Sequence, residues 1–202
     1  MALKVDIIIP TCKKLSDITW LIDRVQSTRA SRGQLICTCT DGSAAQNRNR
    51  GLDLSNTDIV IMLDDDIADL HDGWDMKLAH PLIVFPDYMM VSARIMNRDG
   101  LTPARVHGAA KEHNEPGLFQ AENNSTLSAC IAIMKTELRY DERFRGSGWE
   151  DTAYCLALTR HYPTGKIMIN NDCRVVHLNE MKNQTSNWQH NLNLYETIKA
   201  QA

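Results

Sequence analysis

Ile59-Val60-Ile61-Met62-Leu63-Asp64-Asp65-Asp66-Ile67 is the stretch that decides how this chain reads. Its apolar run has no polar interruption, the pattern of a strand buried on both faces. Three carboxylates follow directly. Like charges at such close range raise one another's pKa, so the ionised triplet needs a counter-cation. A hard divalent ion bound by carboxylate oxygens supplies one. Ligands of open α/β sheets bind beyond the carboxyl ends of the strands, which is where these residues fall. An isolated acidic triplet also fits a solvated loop or a helix N-cap, so the decision rests on its companions.

The chain has 202 residues and a net charge of −3, with acidic and basic residues interspersed. That length suits one domain with a sizeable core. No long basic run demands nucleic acid, although a local patch would be hidden in a near-neutral total. Six cysteines are present, Cys12, Cys37, Cys39, Cys130, Cys155 and Cys173, and none forms a C-x-x-C pair. They lack zinc-site spacing and read as free thiols of a reducing compartment. The opening MALKVDIIIP has too short an apolar part for a signal peptide, and no segment reaches transmembrane length. The expectation is a soluble, cytoplasmic protein.

Working outward, residues 5–9 read as a β-branched strand stopped by Pro10. Ser16 and Asp17 are N-cap types. Behind them Ile18, Leu21, Ile22 and Val25 recur at helical spacing, with Gly33 as the expected helix end. Residues 35–40 read as a second strand closed by Asp41-Gly42-Ser43, completing a right-handed βαβ unit. The pattern then predicts a helix over 44–54, the acidic strand over 58–63, a helix over 75–83 and a strand over 89–96. Residues 97–125 show no period and read as long loops. A strand over 126–134, a helix over 151–160 and two short strands over 166–170 and 173–177 complete the body. Beyond residue 187, Trp188, Leu192, Tyr195 and Ile198 share one helical face, expected to pack back on the body.

Two further features accompany the triplet. Gly146-Ser147-Gly148-Trp149-Glu150-Asp151-Thr152 delivers adjacent carboxylates to a helix start. Acids are favoured there by the helix dipole. A Gly-rich turn can equally hold a general base where a substrate approaches the backbone closely, and Trp149 offers a flat apolar face that suits a sugar ring. His177 ends the short strand Arg174-Val175-Val176-His177. It reads either as an ordinary strand-end residue or as a metal ligand.

The ordered set resembles the family 2 glycosyltransferases of GT-A fold. The resemblance begins with Val5-Asp6-Ile7-Ile8-Ile9-Pro10-Thr11 and continues through Asp41-Gly42-Ser43 and Arg48-Asn49-Arg50-Gly51-Leu52. Leu63-Asp64-Asp65-Asp66 is similar to the family's D-x-D motif, Gly148-Trp149-Glu150-Asp151-Thr152 to its G-W-E-D motif, and Val176-His177 to its late histidine. The match covers the chain to about residue 178. One departure stands out. The family usually places another strand and helix between D-G-S and A-R-N, whereas here Ser43 runs almost directly into Arg48, so the nucleotide half is pared down.

The resemblance implies an α/β, Rossmann-like GT-A domain, a mixed sheet flanked by helices. Residues 1–68 would be its nucleotide-binding half, 69–178 its acceptor half and 179–202 a C-terminal lid and helix. It implies that Asp64, Asp66 and His177 hold Mn²⁺ or Mg²⁺ on the donor diphosphate. Thr11, Asp41, Arg48, Asp64 and Asp65 would bind the donor, expected to be UDP-linked. Asp151 would be the catalytic base, with Glu150 binding or orienting the acceptor and Trp149 and Gly148 lining its site. The asparagine-rich stretch with Asn179, Asn183 and Asn187 is expected to close over the diphosphate. The implied activity is metal-dependent, inverting transfer of a sugar to a hydroxyl acceptor, a glycan first, with protein or modified nucleic acid as alternatives. Two other readings stand beside it. A sugar-phosphate nucleotidyltransferase would want a Gly-rich loop after the first strand, where this chain has Thr11-Cys12-Lys13-Lys14. A non-catalytic nucleotide-sugar or glycan-binding module would need no base.

Overall fold

A computed structural model describes residues 3–104, 116–179 and 187–201. Its strands are β1 (Asp6–Thr11), β2 (Leu35–Cys39), β3 (Ile59–Leu63), β4 (Ile67–Ala68), β5 (Tyr88–Met96), β6 (Leu118–Gln120), β7 (Cys130–Met134) and β8 (Lys166–His177). Its helices are α1 (Thr19–Thr28), α2 (Ala44–Leu54), α3 (Trp74–Val84), α4 (Glu150–His161) and α5 (Trp188–Ala200). The strands form one sheet in the order β2-β1-β3-β7-β5-β8-β4, with β6 also paired to β8. Strands β1, β2, β3, β5 and β8 run one way and β4, β6 and β7 the other. The carboxyl ends of β1, β3 and β8 therefore share one edge of the domain.

The core lies on both faces of this sheet. On one face Ile7, Ile9, Ile61, Leu63, Val91 and Ile95 pack with Leu21 and Val25 of α1 and Trp74 and Leu78 of α3. On the other, Ile8, Val60, Met62 and Met90 pack with Ala45 and Leu52 of α2 and Tyr154 and Leu158 of α4. Both sets come from the same strands because successive side chains point to opposite faces. The apolar run of β3 thus has the two-faced burial that its composition predicts. None of the described helices is long and apolar enough to cross a membrane.

Several expectations are corrected. Pro10 does not stop β1; it pairs in register with Thr38. Ile7 donates toward β2, so Pro10 turns its missing N–H toward β3, where the ladder has already ended at Ile8. That is a position a proline tolerates. Gly33 does not end α1, which stops at Thr28. It sits instead where an added Cβ would lie 2.1 Å from the Val5 carbonyl oxygen, at φ 154°. The two late strands are one, β8, whose pairing with β5 skips residues 171–173. The aperiodic stretch 97–125 contains β6 and a short 3-10 turn, Glu122–Asn124. Period analysis misses a three-residue strand because two alternations carry no signal. Residues 105–115 and 180–186, including Asn183 of the expected lid, lie outside the described residues.

Candidate active site

The acidic triplet follows β3, as the sequence indicates. What brings His177 to it is β4. Ile67 and Ala68 pair antiparallel with His177 and Val176 at the end of β8, and the Leu178 N–H donates to the Asp66 carbonyl at 2.9 Å. One ligand atom from each of Asp64, Asp66 and His177 lies within 4.8 Å of the others. His177 Nε2 is 3.5 Å from Asp66 Oδ1, while Nδ1 lies 2.6 Å from the Asn179 carbonyl oxygen. A carbonyl only accepts, so Nδ1 carries the proton. In the neutral ring Nε2 then presents a lone pair to the acids, the orientation that a metal-ligating histidine takes from its outer partner. A lone pair facing a carboxylate is a natural cation seat, so these residues fit a divalent ion. Asn179 also donates from Nδ2 to Asp66 Oδ2 at 2.7 Å.

Asp65 turns away from this cluster. It accepts from the Thr11 hydroxyl and from Lys13 Nζ at 2.7 Å, tying the loop after β1 to the triplet. Asp41 is exposed at the turn after β2, two strands from β3 in the sheet.

Arg48 is the buried centre of the site. Its helix α2 begins with a capping box between Ser43 and Gln46, which satisfies N-terminal amides reciprocally. Gly51 lets that helix lie close on β1, since a Cβ there would be 2.2 Å from Ile8 Cγ2. The Arg48 guanidinium donates to Asp64 Oδ1 at 2.9 Å and to Glu150 Oε1 at 2.6 Å, with Tyr140 beneath it at 5.4 Å. Burial opposes its charge, but Asp64 and Glu150 outweigh burial and hold it well above its ordinary pKa. Burial pushes the Asp64 carboxyl up, Asp66 adds to that, and Arg48 pulls it back.

The second acidic pair opens α4. Glu150 is only 3% exposed, with one oxygen on Arg48 and the other accepting from the Gly148 N–H. It is a buried brace and presents no open face to an acceptor. Asp151 is half-buried; it accepts from the Thr152 N–H at 2.8 Å and the Ser128 N–H at 3.4 Å. Burial, then the neighbouring Glu150, raises its pKa to about 6. A carboxylate tuned toward neutral pH and still reachable is suited to general-base work. Trp149 precedes it in a left-handed conformation, φ 72°. Its ring meets Tyr195 at 5.0 Å and Trp188 at 5.3 Å, so it docks α5. Gly148 lies against Trp188 as well.

The sequence matches no protein-family model and no curated protein. Solved structures do match in shape. GalNAc-T7 with UDP, GalNAc and Mn²⁺ aligns at a TM-score of 0.61 and 11% identity, over 98% of this chain and 49% of that one. S. aureus TarS (residues 1–349) aligns at 0.60 and 12%, over 97% and 65%. Glucosyl-3-phosphoglycerate synthase from Mycobacterium tuberculosis, in complex with Mg²⁺ and UDP, aligns at 0.59 and 14%, over 88% and 72%. The fold is that of the GT-A glycosyltransferases. At such identities the likeness speaks for the fold and not for the activity. The chain spans about half the length of the GalNAc-T7 chain.

Sequence reasoning missed three participants in this cluster: Lys13, Ser128 and Asn191. Each acts through a contact made across the fold or through backbone, which residue type and spacing do not announce. The nearest signal was Asn191, a polar residue in the middle of the apolar stripe of α5.

Proposed function

We propose that this chain is a metal-dependent inverting glycosyltransferase that moves a sugar from a nucleoside-diphosphate donor, UDP-linked, to a hydroxyl acceptor. The observation supporting this most is the convergence of Asp64, Asp66 and His177 on the same edge as a half-buried carboxylate whose pKa is raised to about 6. Arg48 joins the two acid groups.

Asp64, Asp66 and His177 would hold the cation, and Mn²⁺ suits the set better than Mg²⁺ because one ligand is an imidazole. When bound, the ion would neutralise charge developing on the departing diphosphate. Thr11 and Asp41, at the ends of neighbouring strands, would contact the nucleotide. Asp65, already held by Thr11 and Lys13, would fix the loop beneath it.

The acceptor hydroxyl oxygen attacks the anomeric carbon as its proton passes to the Asp151 carboxylate. The bond from that carbon to the diphosphate oxygen breaks, and its electron pair leaves with the nucleotide. One base and one displacement invert the anomeric centre. Glu150 braces Arg48 and keeps the start of α4 in place. A glycan hydroxyl is the acceptor class that suits this chemistry most directly, with protein or modified nucleic acid sharing the same reacting group.

The test is UDP release from a panel of UDP-sugars with Mn²⁺, followed by NMR assignment of the product anomer. Release that vanishes in chelator, with an inverted product, is expected. Full turnover in chelator, or a retained configuration, would defeat the reading. Pyrophosphate-dependent formation of a nucleotide sugar would assign a nucleotidyltransferase instead.

A further inference from the structure

The apolar face of α5 contains one residue that does not belong to it. Trp188, Leu192 and Tyr195 define the stripe, and Asn191, three residues after Trp188 and four before Tyr195, lies within it. Its side chain is 0% exposed. A buried amide destabilises unless its donors and acceptor are met. All of its side-chain bonds go to one loop. Oδ1 accepts from the Arg145 N–H at 3.0 Å, and Nδ2 donates to the Arg145 and Gly148 carbonyls, each at 2.9 Å. The amide orientation is settled by these partners, since an N–H must meet each oxygen.

That loop leads straight into the acids. The Gly148 carbonyl is held by Asn191, and the Gly148 N–H donates to Glu150. Next comes Trp149 at φ 72°, a backbone conformation that a bulky residue keeps only when its surroundings over-determine it. Those surroundings are Trp188 and Tyr195 of the same helix. Asp151 follows two residues later.

We infer that Asn191 is a positioning residue for the base: its amide clamps the backbone at Arg145 and Gly148, keeps Trp149 in its left-handed turn, and thereby sets where the Asp151 carboxylate points. This rests on the reading of Asp151 as the general base. The role explains why a polar side chain occupies the centre of an apolar stripe.

The titratable groups around Asp151 are Glu150 and Cys155 of its own helix and Arg48 of α2. Loosening the loop hydrates Asp151, so its titration midpoint falls from about 6 toward the ordinary carboxylate range.

The experiment compares wild type with Asn191→Leu, which keeps the branched shape of the side chain and removes the three bonds. Ile198→Ala is the control; it trims the same helix away from the loop. The readouts are the Asp151 titration by carboxyl-detected NMR, and kcat and KM for UDP release from UDP-glucose with Mn²⁺. Asn191→Leu should lower the Asp151 midpoint and reduce kcat on the order of a hundredfold, as a misplaced reacting group does, with KM for the donor unchanged. Ile198→Ala should move neither. An unchanged midpoint in folded Asn191→Leu overturns the inference, whatever the turnover. If Asn191→Leu does not fold, amide exchange on wild type decides. The Arg145 N–H should exchange through the same opening as the α5 amides, and exchange independent of α5 overturns it. Absence of UDP release by wild type from every sugar tested would count against the enzymatic reading alone, since titration and exchange still report on the clamp.

Discussion

The imidazole of His177 bridges two partners, the Asn179 carbonyl at 2.6 Å and the Asp66 carboxylate at 3.5 Å. The first bond fixes the tautomer, and the second gap is where a cation would relieve the facing lone pairs. Asn179 closes the circuit by donating to the other Asp66 oxygen. Asn179 therefore contacts both members of one ligand pair.

Asn179→Ala should weaken Mn²⁺ binding about 10- to 100-fold, the usual effect of removing an outer partner of a ligand. Asp66→Ala should abolish it. Titration of the free protein with Mn²⁺, followed by electron paramagnetic resonance, reads both without any substrate. Wild-type affinity in Asn179→Ala would show that its amide does not support the site.

Arg48→Ala leaves Asp64 and Glu150 facing each other without their shared guanidinium. Removing one partner of a buried pair destabilises by about 3–5 kcal/mol, because the remaining charge is uncompensated. Urea unfolding at neutral pH measures it. Arg48→Lys should recover only part, since an ammonium cannot span two carboxylates as a planar fork does. Equal stability of Arg48→Ala and wild type would remove Arg48 from the centre of the site.

Asp151→Asn should cut transfer or UDP release at least a hundredfold while sparing Mn²⁺ affinity, because a positioned base contributes at least about that much. In wild type the active form is the ionised carboxylate. The rate should therefore rise with pH through about 6 and level off above it. A flat profile between pH 5 and 8 would place the base elsewhere.

The same carboxylate makes a stability prediction of the opposite kind. Folding raises the Asp151 pKa from 3.8 to about 6, so within that window the native state binds more protons than the unfolded one. Stability then falls as pH rises through the window, and stays lowered above it. Asp151→Asn should be more stable than wild type by about 3 kcal/mol at pH 8 and nearly equal to it at pH 3. Denaturant melts at both pH values check the sign.

Much of this molecule was legible in residue order. The run Ile59–Leu63 had to be a doubly buried strand because it offers no polar face. The helix expected over 44–54 after the turn Asp41-Gly42-Ser43 is α2, and the packing face of α5 followed from Trp188, Leu192 and Tyr195. These are local properties, set by side-chain period and by the backbone groups that each residue type can satisfy. Tertiary structure decided the rest. Nothing in the composition says that a two-residue strand, β4, carries Asp66 to His177. Nor does it say that Arg48 turns inward to join Asp64 to Glu150, or that Trp149 packs on α5. Those outcomes depend on which distant segments the sheet order places side by side. Burial then selects, among all the charges of a near-neutral chain, the few that must find one another.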